Sequence, residues 1–161
     1  FDLGNSPREY TAEIVTGKTL ITTTTNGTRA LRASLGAREV LVSSFLNLQA
    51  TIDHLREASL KRLALVCGGT FEEAAFEDTL AAGAIADAVW DLFTDDSIED
   101  SAQIVRALWL AHGASLNASI QHALNARRLL AVPELAADVD FCLQRDTIGQ
   151  VVRLDPRGWV A

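Results

Sequence analysis

The chain has 161 residues, of which 48% are hydrophobic, so it is long enough for one domain with an apolar core. Its formal net charge of −7 at pH 7 excludes a nucleic-acid binder, since phosphate contacts need clustered Lys and Arg. No apolar run approaches the roughly 20 residues of a membrane-spanning helix, so no membrane association is expected.

The cysteine content and the first residues of the sequence indicate the cellular compartment. Cys67 and Cys142 are too few for a disulfide scaffold, and the chain does not open on a basic-then-apolar leader. Both features predict a reduced, cytoplasmic protein. The chain also contains no methionine and begins with Phe1, which predicts that it is part of a longer protein.

Strand and helix patterns alternate through the first half of the chain. β-branched and apolar residues predict three short strands, at 19–24, 40–43 and 63–67. Helical periodicity between them predicts two helices, at 30–35 and 48–60.

Helical patterns dominate the second half. We predict helices at 76–93, 98–112, 115–126 and 133–144, followed by an edge strand at 150–154. Ser97 is predicted to cap the second of these helices, with Asp100 as its capping-box partner. Pro133 lies in the first turn of the helix predicted at 133–144, a position that proline favours.

Strand–helix–strand order with short connections is typical of parallel βαβ units. The sequence therefore predicts an α/β protein, a three-layer sandwich with a largely parallel central sheet and helices on both faces. In such open sheets, ligands bind at the carboxyl ends of the strands, beside the N-termini of the following helices.

Small, hydroxylated and glycine residues follow all three predicted strands of the first half. Helix-start N–H groups carry partial positive charge, glycines allow close approach and hydroxyls add donors, so this edge suits an oxyanion. The same residue types are ordinary helix caps and turns, and one junction alone favours that structural role. Three junctions on one edge favour anion binding. The candidates are Thr25, Asn26, Gly27 and Thr28 after the first strand, Ser44 and Asn47 after the second, and Gly68, Gly69 and Thr70 after the third.

Glu77 and Asp78 follow the third junction, at the predicted start of a long helix. Mg²⁺ is typically held by one or two carboxylates together with substrate phosphate, so this pair is a candidate metal and catalytic site. An alternative is that both carboxylates only interact favourably with the helix dipole. For a second acidic cluster, at residues 95–100, the helix-start interpretation is favoured.

Two other motifs do not fit a site, and neither do the histidines. GKT at residues 17–19 resembles part of a P-loop, but it lacks the required earlier glycine and precedes a strand. Cys67 at a strand end resembles the nucleophile of cysteine phosphatases, which need an arginine in the same loop where this chain has Glu73. The three histidines, His54, His112 and His122, lack metal-ligand spacing.

Taken in order along the chain, these motifs resemble one known family, the 2-phosphosulfolactate phosphatases. The motifs that carry the resemblance are NSP at residues 5–7, GKTL at 17–20, TTTNGT at 23–28, SFLN at 44–47, CGGT at 67–70 and EDT at 77–79. Their combination and order over nearly the whole chain are more specific than any single motif.

The resemblance implies a Mg²⁺-dependent hydrolase that removes phosphate from 2-phospho-3-sulfolactate, or a similar small phosphorylated organic acid, to give 3-sulfolactate and phosphate. In methanogens this reaction is a step toward coenzyme M. Residues 26–28 and 68–70 would then form two anion pockets, and Asn5 and Ser6 would close the site from a preceding loop. Glu77 and Asp78 would hold the metal or position water.

The family also carries an earlier strand of the type V-x-D-V-x-R-A-T/S-T/S, which this sequence lacks. Residues 1–161 are therefore expected to form a single α/β phosphatase-like domain, the C-terminal two-thirds of the natural protein. One alternative is a non-catalytic domain that keeps the anion pockets without turnover. Another is a structural role, with a homodimer interface formed by 98–112 and 115–126 and anchored by Trp90 and Trp109.

Overall fold

The computed structural model describes residues 2–161, and 53% of these residues are helical. The α-helices are α1 (Ala12–Val15), α2 (Gly27–Ser34), α3 (Leu48–Glu57), α4 (Phe76–Ala88), α5 (Asp100–His112), α6 (Leu116–Ile120), α7 (Leu124–Leu130) and α8 (Pro133–Cys142). Single 3₁₀ turns lie at Pro7–Glu9, Phe45–Asn47, Trp90–Leu92, Asp95–Ser97 and Gly113–Ser115. None of the helices that these residues form has the length and apolar character needed to cross a membrane.

Two short strands, β1 (Val40–Val42) and β2 (Val152–Leu154), pair antiparallel and form the sheet of the described residues. Val40 lies opposite Leu154, and Val42 lies opposite Val152. Both strands coincide with predicted ones, at 40–43 and 150–154. The mixed helix-and-sheet class and these two strands are therefore confirmed.

The predicted three-layer sandwich around a largely parallel sheet is not confirmed. Residues 19–24 and 63–67, both predicted strands, form no ladder with any other part of 2–161. Ile21 in the first segment is 94% exposed and Val66 in the second is 60% exposed, although Leu63 and Leu65 pack against the core. β-branched residues favour an extended backbone, but a strand also needs a neighbour for its hydrogen bonds and a covering layer for its side chains.

The predicted helices are present with shifted boundaries. Those predicted at 30–35, 48–60, 98–112 and 133–144 form α2, α3, α5 and α8. The helix predicted at 115–126 is divided into α6 and α7 by a turn at residues 121–123.

The helix predicted at 76–93 ends earlier, because α4 closes at Ala88 and a 3₁₀ turn follows. Arg56 of α3 stabilises this end, as its Nη1 donates to the Ala88 carbonyl at 2.7 Å. The same guanidinium forms two hydrogen bonds with the Asp91 carboxylate. A cation that satisfies the last carbonyls of a helix also interacts favourably with its dipole.

The predicted capping box between Ser97 and Asp100 does not form. Ser97 lies in a 3₁₀ turn, and its hydroxyl donates to the Thr94 carbonyl at 2.7 Å. Glu99 is the N-cap residue of α5 instead. The serine therefore stabilises the preceding turn, and the helix begins two residues later than predicted.

The core lies where α3, α4, α6, α7 and α8 meet. Leu48, Leu80 and Val89 are its most deeply buried large side chains. Around them pack Ile52, Leu55, Ile85, Leu116, Ile120 and Val139. Leu80 of α4 is 0% exposed, and this anchor fixes the position of the first turn of the same helix.

α4 and α5 approach each other closely at Gly83. A Cβ added at Gly83 would lie 2.8 Å from the Trp109 Cβ and would also collide with the Val105 carbonyl. The Trp109 ring stacks on Phe45 and lies under the Arg145 guanidinium, while Arg106 lies over the Trp90 ring. Both tryptophans considered as interface anchors therefore contact their own chain.

Replacing Gly83 by alanine should lower the free energy of unfolding by about 1–3 kcal/mol, because the added methyl meets backbone atoms that cannot move aside. Denaturant unfolding monitored by circular dichroism measures this change. Gly36→Ala is the matched control, since nothing lies within 4 Å of a Cβ at that position. Its effect should stay within about 1 kcal/mol. Equal destabilisation of the two variants would contradict the packing argument.

Candidate functional site

The loop between residues 68 and 73 forms one wall of the site, and Gly69 sets its shape. Gly69 has a φ of 70°, and a Cβ there would lie 2.8 Å from the Glu73 carbonyl oxygen, so glycine is required. Thr70 and Glu73 then close a tight turn through two backbone hydrogen bonds of 2.9 and 3.0 Å. Phe71, at the tip of the turn, has a φ of 57° and an exposed ring.

The Asn26 side chain fastens this loop to the start of α2. Its Nδ2 donates to the Gly69 carbonyl at 3.0 Å, and its Oδ1 accepts from the Phe71 N–H at 3.2 Å. An exposed ion pair between Arg29 and Glu72 spans the same gap at 3.2 Å and contributes little by comparison. The amide of Asn26 therefore braces the loop on both sides of Thr70.

Two threonines of the same stretch, Thr24 and Thr28, cap α2. The Thr28 N–H donates to the Thr24 hydroxyl at 3.2 Å, and the Thr24 N–H donates to the Thr28 hydroxyl at 3.0 Å. Gly27 leaves room for this arrangement, since a Cβ there would lie 3.0 Å from the Thr24 hydroxyl oxygen. Thr25 is exposed. At this junction the Thr28 N–H is used by the cap itself.

Asp78, in the first turn of α4, accepts the Gly69 N–H at 2.7 Å through Oδ2. Burial raises the pKa of this carboxyl and the nearby charge of Glu77 raises it further, while hydrogen bonds from the Gly69 and Gly68 amides lower it. Burial, and then the charge of Asp78, also raises the pKa of the Cys67 thiol. The Asp78 carboxylate thus accepts the Gly69 N–H that we predicted to bind an anionic ligand. The hydrogen bonds from Gly69 and Gly68 stabilise the charged form of Asp78.

Glu77 lies beside Asp78 and is held by Asn125 of α7. The Asn125 Nδ2 donates to the Glu77 Oε1 at 2.6 Å and to the Thr70 Oγ1 at 2.7 Å. The other carboxylate oxygen, Oε2, is buried and has no hydrogen-bond partner within residues 2–161. A buried, unpartnered carboxylate oxygen is costly, so a cation or a hydrogen-bond donor placed here would stabilise it.

A cavity of about 390 Å³ lies beside this hydrogen-bond network. Its polar lining consists of Thr70, Glu73, Glu77, His122 and Asn125, and Phe76 contributes apolar wall. This volume is within the range of small-molecule sites. Glu77, Thr70 and Asn125 therefore both form the network and line the adjacent space.

The residues fit a hard cation in number and type. Residues 2–161 contain no group of three or more His, Cys, Asp or Glu side chains placed to hold a metal ion. Mg²⁺ does not need such a group, because it usually keeps several waters and takes one or two carboxylates plus substrate phosphate. The orphaned Glu77 Oε2 and the adjacent carboxylate of Asp78 match that donor set.

The other predicted site residues lie in two separate places. Ser44 and Asn47 form a capping box, in which the Asn47 Oδ1 accepts the Ser44 N–H at 2.9 Å. The Asn47 Nδ2 also donates to the Val42 and Gln150 carbonyls at 3.1 and 3.3 Å. This buried asparagine therefore ties the end of β1 to the approach of β2.

Ser6 and the neighbouring Asn5 lie near α8. The Ser6 hydroxyl donates to the buried Asp138 carboxylate at 2.8 Å, and the Arg8 Nε donates to the same oxygen at 2.6 Å. Asn5 is exposed. The predicted residues brought together around the 68–73 loop are thus Asn26, Gly68, Gly69, Thr70, Glu77 and Asp78.

Sequence reasoning missed Asn125. It lies between apolar residues in a segment predicted as one helix, and its partners Thr70 and Glu77 are 55 and 48 residues away in the chain. In the structure Asn125 is the second residue of α7, directly before the buried Ala126, and no local sequence pattern marks it.

Comparison with known proteins agrees with the family resemblance of the sequence motifs. Residues 1–156 match the family 2-phosphosulpholactate phosphatase. The chain belongs to this family. A probable 2-phosphosulfolactate phosphatase of Clostridium acetobutylicum is 32% identical over 98% of this chain and 64% of its own length. A protein of the same description from Caldanaerobacter subterraneus is 37% identical over 96% of this chain and 63% of its own length.

A third relative, a probable 2-phosphosulfolactate phosphatase from Pseudothermotoga lettingae, is 39% identical over 91% of this chain and 61% of its own length. The chain thus spans less than two-thirds of these curated relatives. The predicted family membership is confirmed over nearly all of the residues at hand.

The Asp138 contacts described above predict a pH-dependent stability. Hydrogen bonds from Arg8 and then Ser6 lower the pKa of Asp138, although burial opposes them. This stabilisation is complete above the pKa of about 3.9 of an unfolded aspartate, and it is lost as pH falls through the lower folded value. Between about pH 5 and pH 2, Asp138→Asn should therefore lose stability less steeply than the unmodified protein.

Unfolding midpoints measured across that pH range test this prediction. Asp140→Asn, in the same helix but exposed, is the matched control and should keep the slope of the unmodified protein. A slope unchanged in Asp138→Asn would contradict a role for the Arg8 contact in acid stability.

Proposed function

We propose that this chain carries the active site of a Mg²⁺-dependent phosphatase acting on 2-phospho-3-sulfolactate or a similar small phosphorylated organic acid. The products would be 3-sulfolactate and phosphate. Family membership and the descriptions of the relatives support the reaction class. The observation that carries the assignment of the site is the buried, unpartnered Glu77 Oε2 beside the 390 Å³ cavity.

Glu77 and Asp78 are the residues that would hold Mg²⁺. The ion would supply positive charge to the oxygens of the transferring phosphoryl group. Both carboxylates lie in the first turn of α4, where the helix dipole favours negative charge and offsets part of their mutual repulsion. The amide of Gly69 keeps Asp78 in place, so two negative groups stay close together before any cation binds.

The 68–73 loop would orient the phosphate. Both backbone groups of Thr70 are used in the turn with Glu73, which leaves its hydroxyl as the group available to a ligand. Asn26 holds the loop through Gly69 and Phe71, and this bracing keeps the hydroxyl in one position. Fixed donors contribute more to catalysis than mobile ones, because they need no reorganisation during the reaction.

We further propose a cytoplasmic protein that associates as a homodimer and serves coenzyme M biosynthesis where that pathway operates. The low cysteine content supports the compartment. Exposed Ile104 and Leu110 on α5 support association of two chains. A domain that binds small anions without turnover is the alternative that the experiments below separate from a phosphatase.

Mg²⁺ binding and phosphate release test the proposal together. Calorimetric titration with Mg²⁺ should show binding that Glu77→Gln weakens at least about 10-fold. Phosphate release from 2-phosphosulfolactate should require Mg²⁺, stop with EDTA, and fall in parallel in the variant. Both effects are expected because Glu77→Gln removes the negatively charged carboxylate oxygen that would bind Mg²⁺.

Glu72→Gln is the matched control, because it removes the same negative charge from an exposed glutamate of the 68–73 loop. Its Mg²⁺ affinity and activity should stay within about twofold of the unmodified protein. Mg²⁺ and phosphate binding without any release would favour the non-catalytic alternative. Release that persists in EDTA would contradict the metal assignment.

A further inference from the structure

We propose that Asn125 is a positioning residue of this site. Its single amide group orients Glu77 and Thr70 at the same time, so that Glu77 turns Oε2 toward a divalent cation and Thr70 turns its hydroxyl hydrogen toward a phosphate oxygen. This inference rests on the proposed function, and it adds a residue to which neither the motifs nor the family descriptions assign a role.

The chemistry of the partners fixes which way the Asn125 amide points. Its NH₂ group has two hydrogens, and two acceptors lie within reach, the Glu77 Oε1 at 2.6 Å and the Thr70 Oγ1 at 2.7 Å. An ionised carboxylate only accepts hydrogen bonds, so the nitrogen and not the oxygen of the amide must face it. Both hydrogens of the NH₂ group are thereby used.

The contact with Thr70 determines how the hydroxyl can act. A threonine hydroxyl has one hydrogen and two lone pairs, and here one lone pair receives the Asn125 hydrogen. The Thr70 hydrogen therefore remains available as a donor beside the cavity that Thr70 lines. An acceptor-rich anion such as phosphate is the ligand that this polarity suits.

The contact with Glu77 determines which oxygen is left for a cation. Oε1 accepts the Asn125 hydrogen, whereas Oε2 is buried and unpartnered among residues 2–161. Without the amide, rotation about the last side-chain bond could exchange the two oxygens. A hydrogen bond that orients a ligating carboxylate in this way is a common feature of metal sites.

The position of Asn125 in the fold makes this orientation rigid. Asn125 is the second residue of α7. Two nearby residues are buried, since Ala123 is 4% exposed and Ala126 is 5% exposed. α7 packs against α8, so the amide is carried by a helix pair. A support on helices holds a site more precisely than one on a loop.

Calorimetric titration of Asn125→Leu with MgCl₂, in the absence of substrate, tests the inference directly. Leucine has a similar shape but no donor, so Mg²⁺ affinity should fall about 10- to 100-fold. Asn117→Leu, at an exposed position of α6, is the matched control and should leave the affinity unchanged. Asn125→Ala, which favours the helix and adds no bulk, gives the same test should the leucine variant fail to fold.

A double-mutant cycle separates positioning from a merely structural role. If Asn125 acts through Glu77, adding Asn125→Leu to Glu77→Gln should cause no further loss of Mg²⁺ affinity. Likewise, Asn125→Leu should weaken binding of inorganic phosphate, and this loss should vanish in the Thr70→Val background. Losses that add fully in both backgrounds would overturn the inference.

Failure of this inference can be told apart from failure of the proposed function. If Glu77→Gln weakens Mg²⁺ binding while Asn125→Leu and Asn125→Ala bind Mg²⁺ as the unmodified protein does, only the role of Asn125 is wrong. If Glu77→Gln itself binds Mg²⁺ normally, the metal assignment fails and the positioning role fails with it.

Discussion

The hydrogen bond from the Gly69 N–H to the Asp78 carboxylate connects the two halves of the site. On one side of it is a loop whose shape depends on the left-handed conformation of Gly69. On the other side is the first turn of a helix whose next turn is anchored by the fully buried Leu80. The helix is held in place by core packing, and the hydrogen bond in turn holds the loop against the helix.

Side chains rather than a sheet hold this loop in position. Asn26 reaches it from the N-cap of α2, Asp78 from α4 and Asn125 from α7. Each of these side chains forms hydrogen bonds with the loop backbone or with the Thr70 hydroxyl. A strand ladder would have offered many weak backbone bonds in register. Here a few side-chain hydrogen bonds hold the loop instead. We therefore expect the loss of any one of these amides or carboxylates to disturb the loop conformation strongly.

The sequence predicted the helices well and the sheet poorly, for a physical reason. Helical periodicity marks the face that packs against the rest of the protein, and a helix forms its hydrogen bonds between residues close in the chain. For this reason α3, α5 and α8 lie close to their predicted ranges. Strand patterns carry no information about the partner strand, and residues 19–24 and 63–67 have the right composition but no ladder within 2–161. The site followed the same rule. Glycines and carboxylates after the predicted strands could be named as candidates from the sequence, whereas Asn125 depends on a tertiary contact with no local signature.

The antiparallel pairing of β1 with β2 has a consequence for how the chain folds. The ion pair between Glu39 and Arg153, directly before β1 and within β2, joins residues 114 positions apart. Closing a loop of that length costs conformational entropy before any ladder hydrogen bond forms, whereas the helices need only neighbouring residues. From this chain connectivity we expect the helices between the two strands to pack first and the sheet to close late. The sheet would then bring together distant parts of the sequence over an assembled core.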